Sequence, residues 1–67
     1  MTYTPTDEDL EHAKWLLDGA GLTEERVDWK RFVREVATMN QTDNYHVRCK
    51  AAFDVDWALK HPKGRKR

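Results

Sequence analysis

The chain has 67 residues, a single cysteine and a formal net charge of zero, with twelve acidic and twelve basic side chains. This length predicts one small domain, the lone Cys49 excludes an internal disulfide, and no apolar run is long enough to cross a bilayer. We therefore expect a soluble, cytoplasmic protein with one helical domain in residues 1–60 and a basic tail in residues 61–67. Because so short a chain has a small core, tight helix packing, self-association or a partner must supplement it.

The zero net charge hides an uneven distribution along the chain. Residues 60–67 carry five cations and no acid, whereas residues 1–59 carry all twelve acids and only seven cations. This separation favours a polyanionic partner, because a cationic terminal segment can contact phosphates without reading sequence. We expect the segment to be flexible and to bind nucleic acid. Its basic residues are Lys60, Lys63, Arg65, Lys66 and Arg67.

Helical periodicity dominates the first 60 residues. Apolar side chains recur at intervals of three and four, and the few glycines and prolines lie where helices should begin or end. The pattern predicts an all-α, three-helix bundle with helices over about residues 6–20, 24–40 and 43–60.

The first helix has two possible starts. Thr6 and Asp9 have the spacing of a capping box, in which each side chain accepts a hydrogen bond from the other residue's backbone amide. Alternatively, Thr4 caps the helix and Pro5 is its first helical residue. The predicted inward face consists of Leu10, Ala13, Leu16, Leu17 and Ala20. The left-handed turn that ends the helix is expected at Gly19 or Gly21.

The second helix also has two possible starts, at Thr23 or at Asp28. We expect a short turn over residues 23–27 that continues into the main helix, because Val27 points away from the helix's apolar face. That face is predicted to contain Trp29, Phe32, Val33, Val36 and either Met39 or Asn40.

A cationic stripe is predicted on the outer side of the second helix. Its members are Arg26, Lys30, Arg31 and Arg34. The stripe can provide a second contact to a phosphate backbone. It can equally be a solvated helix face whose charge is balanced by Glu24, Asp28 and Glu35.

The third helix is apolar on nearly every side. We expect the polar linker of residues 40–43 to supply its cap, and we assign its inward face to Tyr45, Cys49, Ala52, Phe53 and Leu59. Other apolar residues then lie outward, together with one tryptophan of the first helix. These candidates for a partner interface are Val47, Ala51, Trp57, Ala58 and Trp15. Either the outer face binds a partner, which includes a homodimer, or the third helix lies centrally and touches both other helices.

Candidate catalytic and metal-binding residues are few. His46 and Cys49 share a helix face, but no further ligand, orienting group or oxyanion donor has a matching spacing. Asp54 and Asp56 diverge on the helix and cannot share a substrate. Asp56 within an inward face would be a site acid or would pair with Arg34, Lys60 or an indole. We predict no enzyme, no metal site and no cofactor.

The second and third helices have the turn length of a helix-turn-helix motif. The side chains that would read bases are Asn44, His46, Arg48 and Lys50. The same helix then continues with Val47 and Trp57, which suit a phosphate-rich groove poorly, so we favour a contact that does not read sequence.

Two functions follow from these patterns. The leading hypothesis is a small, non-enzymatic accessory or regulatory protein that acts on nucleic acid, or on a nucleic-acid-bound complex, through its basic residues. The alternative is a protein-interaction module, an adaptor or inhibitor, that docks through the outer apolar face of the third helix, and this alternative includes a homodimer.

Overall fold

Residues 3–62, the part of the chain that a computed structural model describes, form three α-helices joined by short turns. Helix α1 spans Asp7–Gly19, α2 spans Trp29–Gln41 and α3 spans Tyr45–Lys60. A single 3-10 turn, Glu24–Arg26, lies between α1 and α2. The predicted all-α, three-helix bundle is therefore confirmed. The predicted tail residues Lys63, Arg65, Lys66 and Arg67 lie outside the described residues.

Helix α1 begins with the capping box and not with the Thr4 alternative. The Asp9 amide donates to Thr6 Oγ1 at 3.2 Å, and the Thr6 amide donates to Asp9 Oδ2 at 3.0 Å. These two bonds satisfy backbone amides that the helix itself leaves without a partner. After α1, Gly21 adopts a φ of +71°, the left-handed conformation that a residue without a side chain adopts at little cost.

The segment before α2 contributes to the core, contrary to the prediction for Val27. Val27 is buried in the same cluster as Phe32. The helical conformation is interrupted at residues 27–28, between the 3-10 turn and α2, and this interruption turns Val27 inward. Asp28 occupies the N-cap position of α2, although its side chain makes no capping hydrogen bond. Val27, just before Asp28, and Phe32, four residues after it, thus form a hydrophobic staple.

The turn between α2 and α3 comprises residues 42–44 and not the predicted 41–42, because α2 continues to Gln41 and α3 begins at Tyr45. The cap of α3 is Asn44, the residue after the polar linker 40–43 that was expected to supply it. Asn44 Oδ1 accepts hydrogen bonds from the backbone amides of His46 at 2.9 Å and Val47 at 3.1 Å. Arg48 donates to the carbonyl oxygen of Thr42 at 3.0 Å. Two residues considered as base readers, Asn44 and Arg48, are therefore engaged in the turn itself.

Helix α2 lies between the other two helices. It packs against α3 and against α1, whereas α1 and α3 make few direct contacts within residues 3–62. The expectation that the third helix lies centrally is therefore wrong. The buried apolar residues are mostly small: Ala13, Leu17, Val27, Phe32, Val33, Val36, Ala37, Ala51 and Val55.

The orientation of α3 also differs from the prediction. Its buried residues are Ala51 and Val55, and Ala58 and Leu59 pack against the same core. The predicted inward residues Tyr45, Cys49 and Phe53 are exposed instead. Small side chains on the inner face let α3 approach α2 closely, which leaves the large aromatic rings on the outside.

Candidate protein-interaction surface

The outer side of α3 carries exposed side chains at strict four-residue intervals. They are Tyr45, Cys49, Phe53 and Trp57, and we call them the α3 ridge. The exposed fractions are 70% for Tyr45, 64% for Phe53 and 56% for Trp57, and Cys49 is exposed as well. Residues four apart lie on one side of a helix, so this row extends for about 18 Å along α3. A continuous apolar row of this kind, unlike single exposed residues, indicates an interaction surface.

The aromatic rings of the ridge support one another. The ring centroids of Phe53 and Trp57 are 6.4 Å apart, and His61 lies only 4.0 Å from Trp57. The His61 amide donates to the Trp57 carbonyl oxygen at 2.9 Å, which fixes the chain after the end of α3. The C-terminal part of the ridge is therefore a row of three packed rings, at separations typical of aromatic pairs in proteins.

Charged side chains flank the ridge in neutral pairs. Lys50 Nζ lies 3.6 Å from Asp54, and Lys60 Nζ lies 3.2 Å from Asp56. Each pair is four residues apart on α3. Asp56 is therefore exposed and paired with Lys60, as one of the two interpretations of this residue expected, and it does not lie on the inward face. These two pairs therefore add no net charge beside the ridge.

A groove of about 480 Å³ runs along the inner border of the ridge, between α3, α2 and the 3-10 turn. Phe53 and Trp57 form one wall. The apolar floor consists of Val27, Phe32, Val55 and Ala58. Polar and charged residues complete the lining: Arg26, Asp28, Arg31, Glu35, Asp54 and His61. An apolar floor with polar groups at its border is typical of a binding cleft.

Two carboxyl groups meet where the groove joins α2 and α3. Burial raises the pKa of Glu35, and a hydrogen bond to Asp54 together with the negative charge of Asp54 raises this pKa further. Arg31, 3.9 Å from Glu35, and Lys50 act in the opposite direction but do not cancel the rise. Glu35 and Asp54 thus form a hydrogen-bonded contact between two carboxyl groups that joins α2 to α3.

The predicted interface residues are only partly brought together. Val47 and Trp57 are exposed on α3, as predicted. Ala51 is 2% exposed and Ala58 packs against the core, so neither lies on an outer surface. Their small side chains belong to the contact with α2. Trp15 is exposed, but it lies on α1, next to His12, and does not join the α3 ridge.

Sequence reasoning missed Tyr45 and Phe53, because it assigned these two aromatic side chains to the inward face of the third helix. A usable signal was present. Tyr45, Phe53 and Trp57 fall on one side of a helix, whereas Ala51, Val55 and Ala58 fall on the other. A helix that approaches its neighbour closely needs the small side to face inward.

Only part of the predicted cationic stripe lies on α2. Lys30 and Arg34 are exposed one turn apart on α2 and form no ion pair within residues 3–62. Arg31 is exposed and lies beside Glu35. Arg26 belongs to the 3-10 turn and not to α2, so the regular four-residue spacing is broken before Lys30. Lys60 is the last residue of α3 and pairs with Asp56.

Metal or thiol chemistry gains no support from the geometry. His46 and Cys49 are both exposed, which corrects the expectation of a core thiol at position 49. Within residues 3–62, no group of three or more potential ligand side chains converges on one point. A side-chain hydrogen bond to Cys49 raises the pKa of the Tyr45 hydroxyl. Cys49 is thus best described as a member of the α3 ridge.

The same described range contains no helix that is both long enough and apolar enough to cross a membrane. Comparisons of the chain with protein-family models, with curated proteins and with solved structures found no match.

Proposed function

We propose that this protein is a non-enzymatic protein-interaction module, an adaptor or inhibitor, that docks through the α3 ridge and the adjoining groove. One observation carries the proposal: α3 keeps its small residues inside and presents Tyr45, Phe53 and Trp57 to solvent in a single row. Tyrosine and tryptophan are the residue types that most often dominate the energetics of protein interfaces.

The size of the ridge suits a reversible contact. Three aromatic side chains exposed to this degree present roughly 400 Å², about half of the roughly 800 Å² that a standard interface takes from each partner. Burying that area is worth about 10 kcal/mol before the costs of association, which are of similar size. Docking therefore needs the groove as well as the ridge, because the ridge alone leaves little net affinity.

A capture experiment tests this function. The immobilised full-length chain is compared with the double variant Phe53→Ala/Trp57→Ala and with the control Trp15→Ala, whose exposed indole lies on α1. Circular dichroism verifies that all three baits are folded. Extracts are treated with nuclease, and the retained proteins are identified by mass spectrometry. We expect proteins that the wild type and Trp15→Ala retain but the double variant loses. Identical capture by all three baits would contradict docking through the ridge.

We propose a second function for the basic residues: sequence-independent attachment to nucleic acid, or to a nucleic-acid-bound complex, in an accessory or regulatory role. The exposed side chains of Lys30 and Arg34 favour it, because their charges are not neutralised within residues 3–62. Residues 60–67 add five cations. The acidic body limits the affinity, so a non-specific dissociation constant of about 10⁻⁴–10⁻⁶ M is expected.

A salt titration with duplex DNA tests the second function. If five cations of residues 60–67 all contact phosphates, the slope of log affinity against log salt is about −4.5. Deletion of residues 60–67 should flatten the slope. Lys14→Gln, on the exposed surface of α1, is the control and should leave it unchanged. Absence of binding at low salt would refute the hypothesis. In the capture experiment, this function appears as retention that nuclease abolishes and that does not depend on Phe53 or Trp57.

A further inference from the structure

The α3 ridge needs an occupant of defined chemistry. We propose that the occupant is the α3 ridge of a second copy of this chain, with the two α3 helices antiparallel. This inference rests on the proposed function, because it identifies the partner of the same surface.

The chemistry of the α3 ridge suits a contact with a second, identical ridge. Its members are aromatic apart from Cys49, and the nearest lysines are already paired with Asp54 and Asp56. With no Asp, Glu, Lys or Arg among its own members, the ridge does not select a strongly acidic or strongly basic partner. It selects a neutral apolar surface of similar length, and an identical α3 ridge meets this requirement. The small core provides a reason for the association, since domains of this size often gain stability from self-association.

The charges along α3 set the direction of the pairing. Its first half, residues 45–52, contains Arg48 and Lys50 and no acid. Its second half, residues 53–60, contains Asp54, Asp56 and Lys60. An antiparallel pair places each cationic half against an acidic half. A parallel pair would place cations against cations and acids against acids.

A two-fold axis through the middle of the ridge, between Cys49 and Phe53 and level with position 51 along α3, gives the register. Tyr45 of one copy then faces Trp57 of the other, and Cys49 faces Phe53. The contact is closed and identical from both sides, as expected for a symmetric dimer. Tyr45 of each copy also comes to the end of the groove that Trp57 borders. The groove thus receives an aromatic ring from the second copy.

The buried area indicates a weak dimer. The two ridges alone remove roughly 800 Å² from water, which is below the roughly 1,200–2,000 Å² of stable interfaces. The groove and its borders add to this area. We expect a dissociation constant on the order of 10 µM. Removal of one of the large rings should weaken the dimer by about tenfold or more.

Sedimentation velocity over a series of concentrations tests self-association of the full-length chain. The wild type should move from monomer to dimer as concentration rises. Phe53→Ala and Trp57→Ala should shift this transition to at least about tenfold higher concentration. Trp15→Ala, with an even more exposed indole on another helix, should match the wild type. A shift of equal size in Trp15→Ala would place the interface elsewhere and overturn the proposal.

Disulfide trapping tests the direction. In the Cys49→Ala background, one variant carries His46→Cys and a second carries Asp56→Cys, both at exposed positions beside the ridge. The antiparallel register brings position 46 of one copy next to position 56 of the other, whereas identical positions are about 15 Å apart along the axis. We expect mixed disulfides when the two variants are combined under mild oxidation. Preferential like-with-like disulfides would mean a parallel pair and would overturn the antiparallel arrangement.

The two proposals fail in different ways. A wild type that remains monomeric at every concentration overturns self-association. If the capture experiment still yields proteins that depend on Phe53 and Trp57, the ridge is a docking surface for a different protein. If it yields none, the proposed function fails as well.

Discussion

Asn40, near the end of α2, donates a 2.8 Å hydrogen bond to the carboxylate of Asp9 in the first turn of α1. Gln41 donates a second bond to Asp9 at 2.7 Å, and the Thr6 amide adds a third at 3.0 Å. Burial alone would raise the pKa of Asp9, but these bonds prevail and hold the pKa below its ordinary value. The capping box of α1 is therefore also the polar attachment of α1 to α2.

Loss of the Asn40 amide should destabilise the fold. We expect Asn40→Ala to lower the free energy of unfolding by about 1–3 kcal/mol, because the buried Asp9 carboxylate loses one of its donors. Urea denaturation measures the change. Glu11→Gln, at an exposed position on α1, is the matched control and should stay within about 0.5 kcal/mol of the wild type.

The lowered pKa of Asp9 makes part of the stability depend on pH. A carboxyl group whose pKa is lower in the folded state stabilises the fold above its unfolded pKa, near 3.8, and loses that contribution as the pH falls through the folded pKa. Asp9→Asn should therefore be less stable than the wild type at neutral pH, and the difference should shrink on acidification. A difference that is constant across the acid range would contradict this origin.

The contribution of Glu35 to stability should depend on pH in the opposite direction. Its raised pKa means that the folded state favours the protonated form, so its contribution is most favourable below the unfolded pKa and declines as the pH rises through the folded pKa. Glu35→Gln keeps a donor for Asp54 without the charge. We expect the variant to be more stable than the wild type by about 0.5 kcal/mol at neutral pH and equal to it in acid. Chemical denaturation at both pH values measures this.

Two residues of α3 that lie two positions apart, Phe53 and Val55, test which side of this helix faces α2. Val55→Ala should destabilise the fold by about 2 kcal/mol, because Val55 is buried against α2. Phe53→Ala removes a larger side chain but should change stability by less than about 0.5 kcal/mol at concentrations where the chain is monomeric, since Phe53 is mostly exposed. The reverse order would mean that the aromatic side of α3 faces α2.

The two glycines near the end of α1 should respond differently to alanine. Gly21→Ala should cost about 1–2 kcal/mol, because alanine is strained at a φ of +71°. Gly19 is helical, and a methyl group there would meet no atom within 4 Å. Gly19→Ala should therefore raise stability by about 0.5–1 kcal/mol. Thermal unfolding of the two variants measures both effects.

Local patterns predicted the first half of the fold well. Thr6 and Asp9 have the spacing of a capping box, and that box forms because all of its bonds lie within four residues. The face of α2 that contains Phe32, Val33 and Val36 was also predicted, since apolar residues there are confined to one side. Both features depend on neighbours along the chain, which a sequence displays directly.

Predictions that depended on packing between helices were less accurate. Apolar residues surround α3 on nearly every side, so periodicity does not determine which side faces α2. Tyr45 and Phe53 were placed inside, but close approach of two helices favours small residues such as Ala51. The meeting of Glu35 with Asp54 was not predicted either, because it joins residues on different helices. The same holds for the bond between Asn40 and Asp9.

The central position of α2 has a mechanical consequence. Because α1 and α3 are each attached to α2 and make few contacts with each other within residues 3–62, fraying of α1 can proceed without releasing α3. Melting of α2 would detach both of its neighbours at once. Amide protons in the middle of α2 should therefore be the last in this molecule to exchange with solvent.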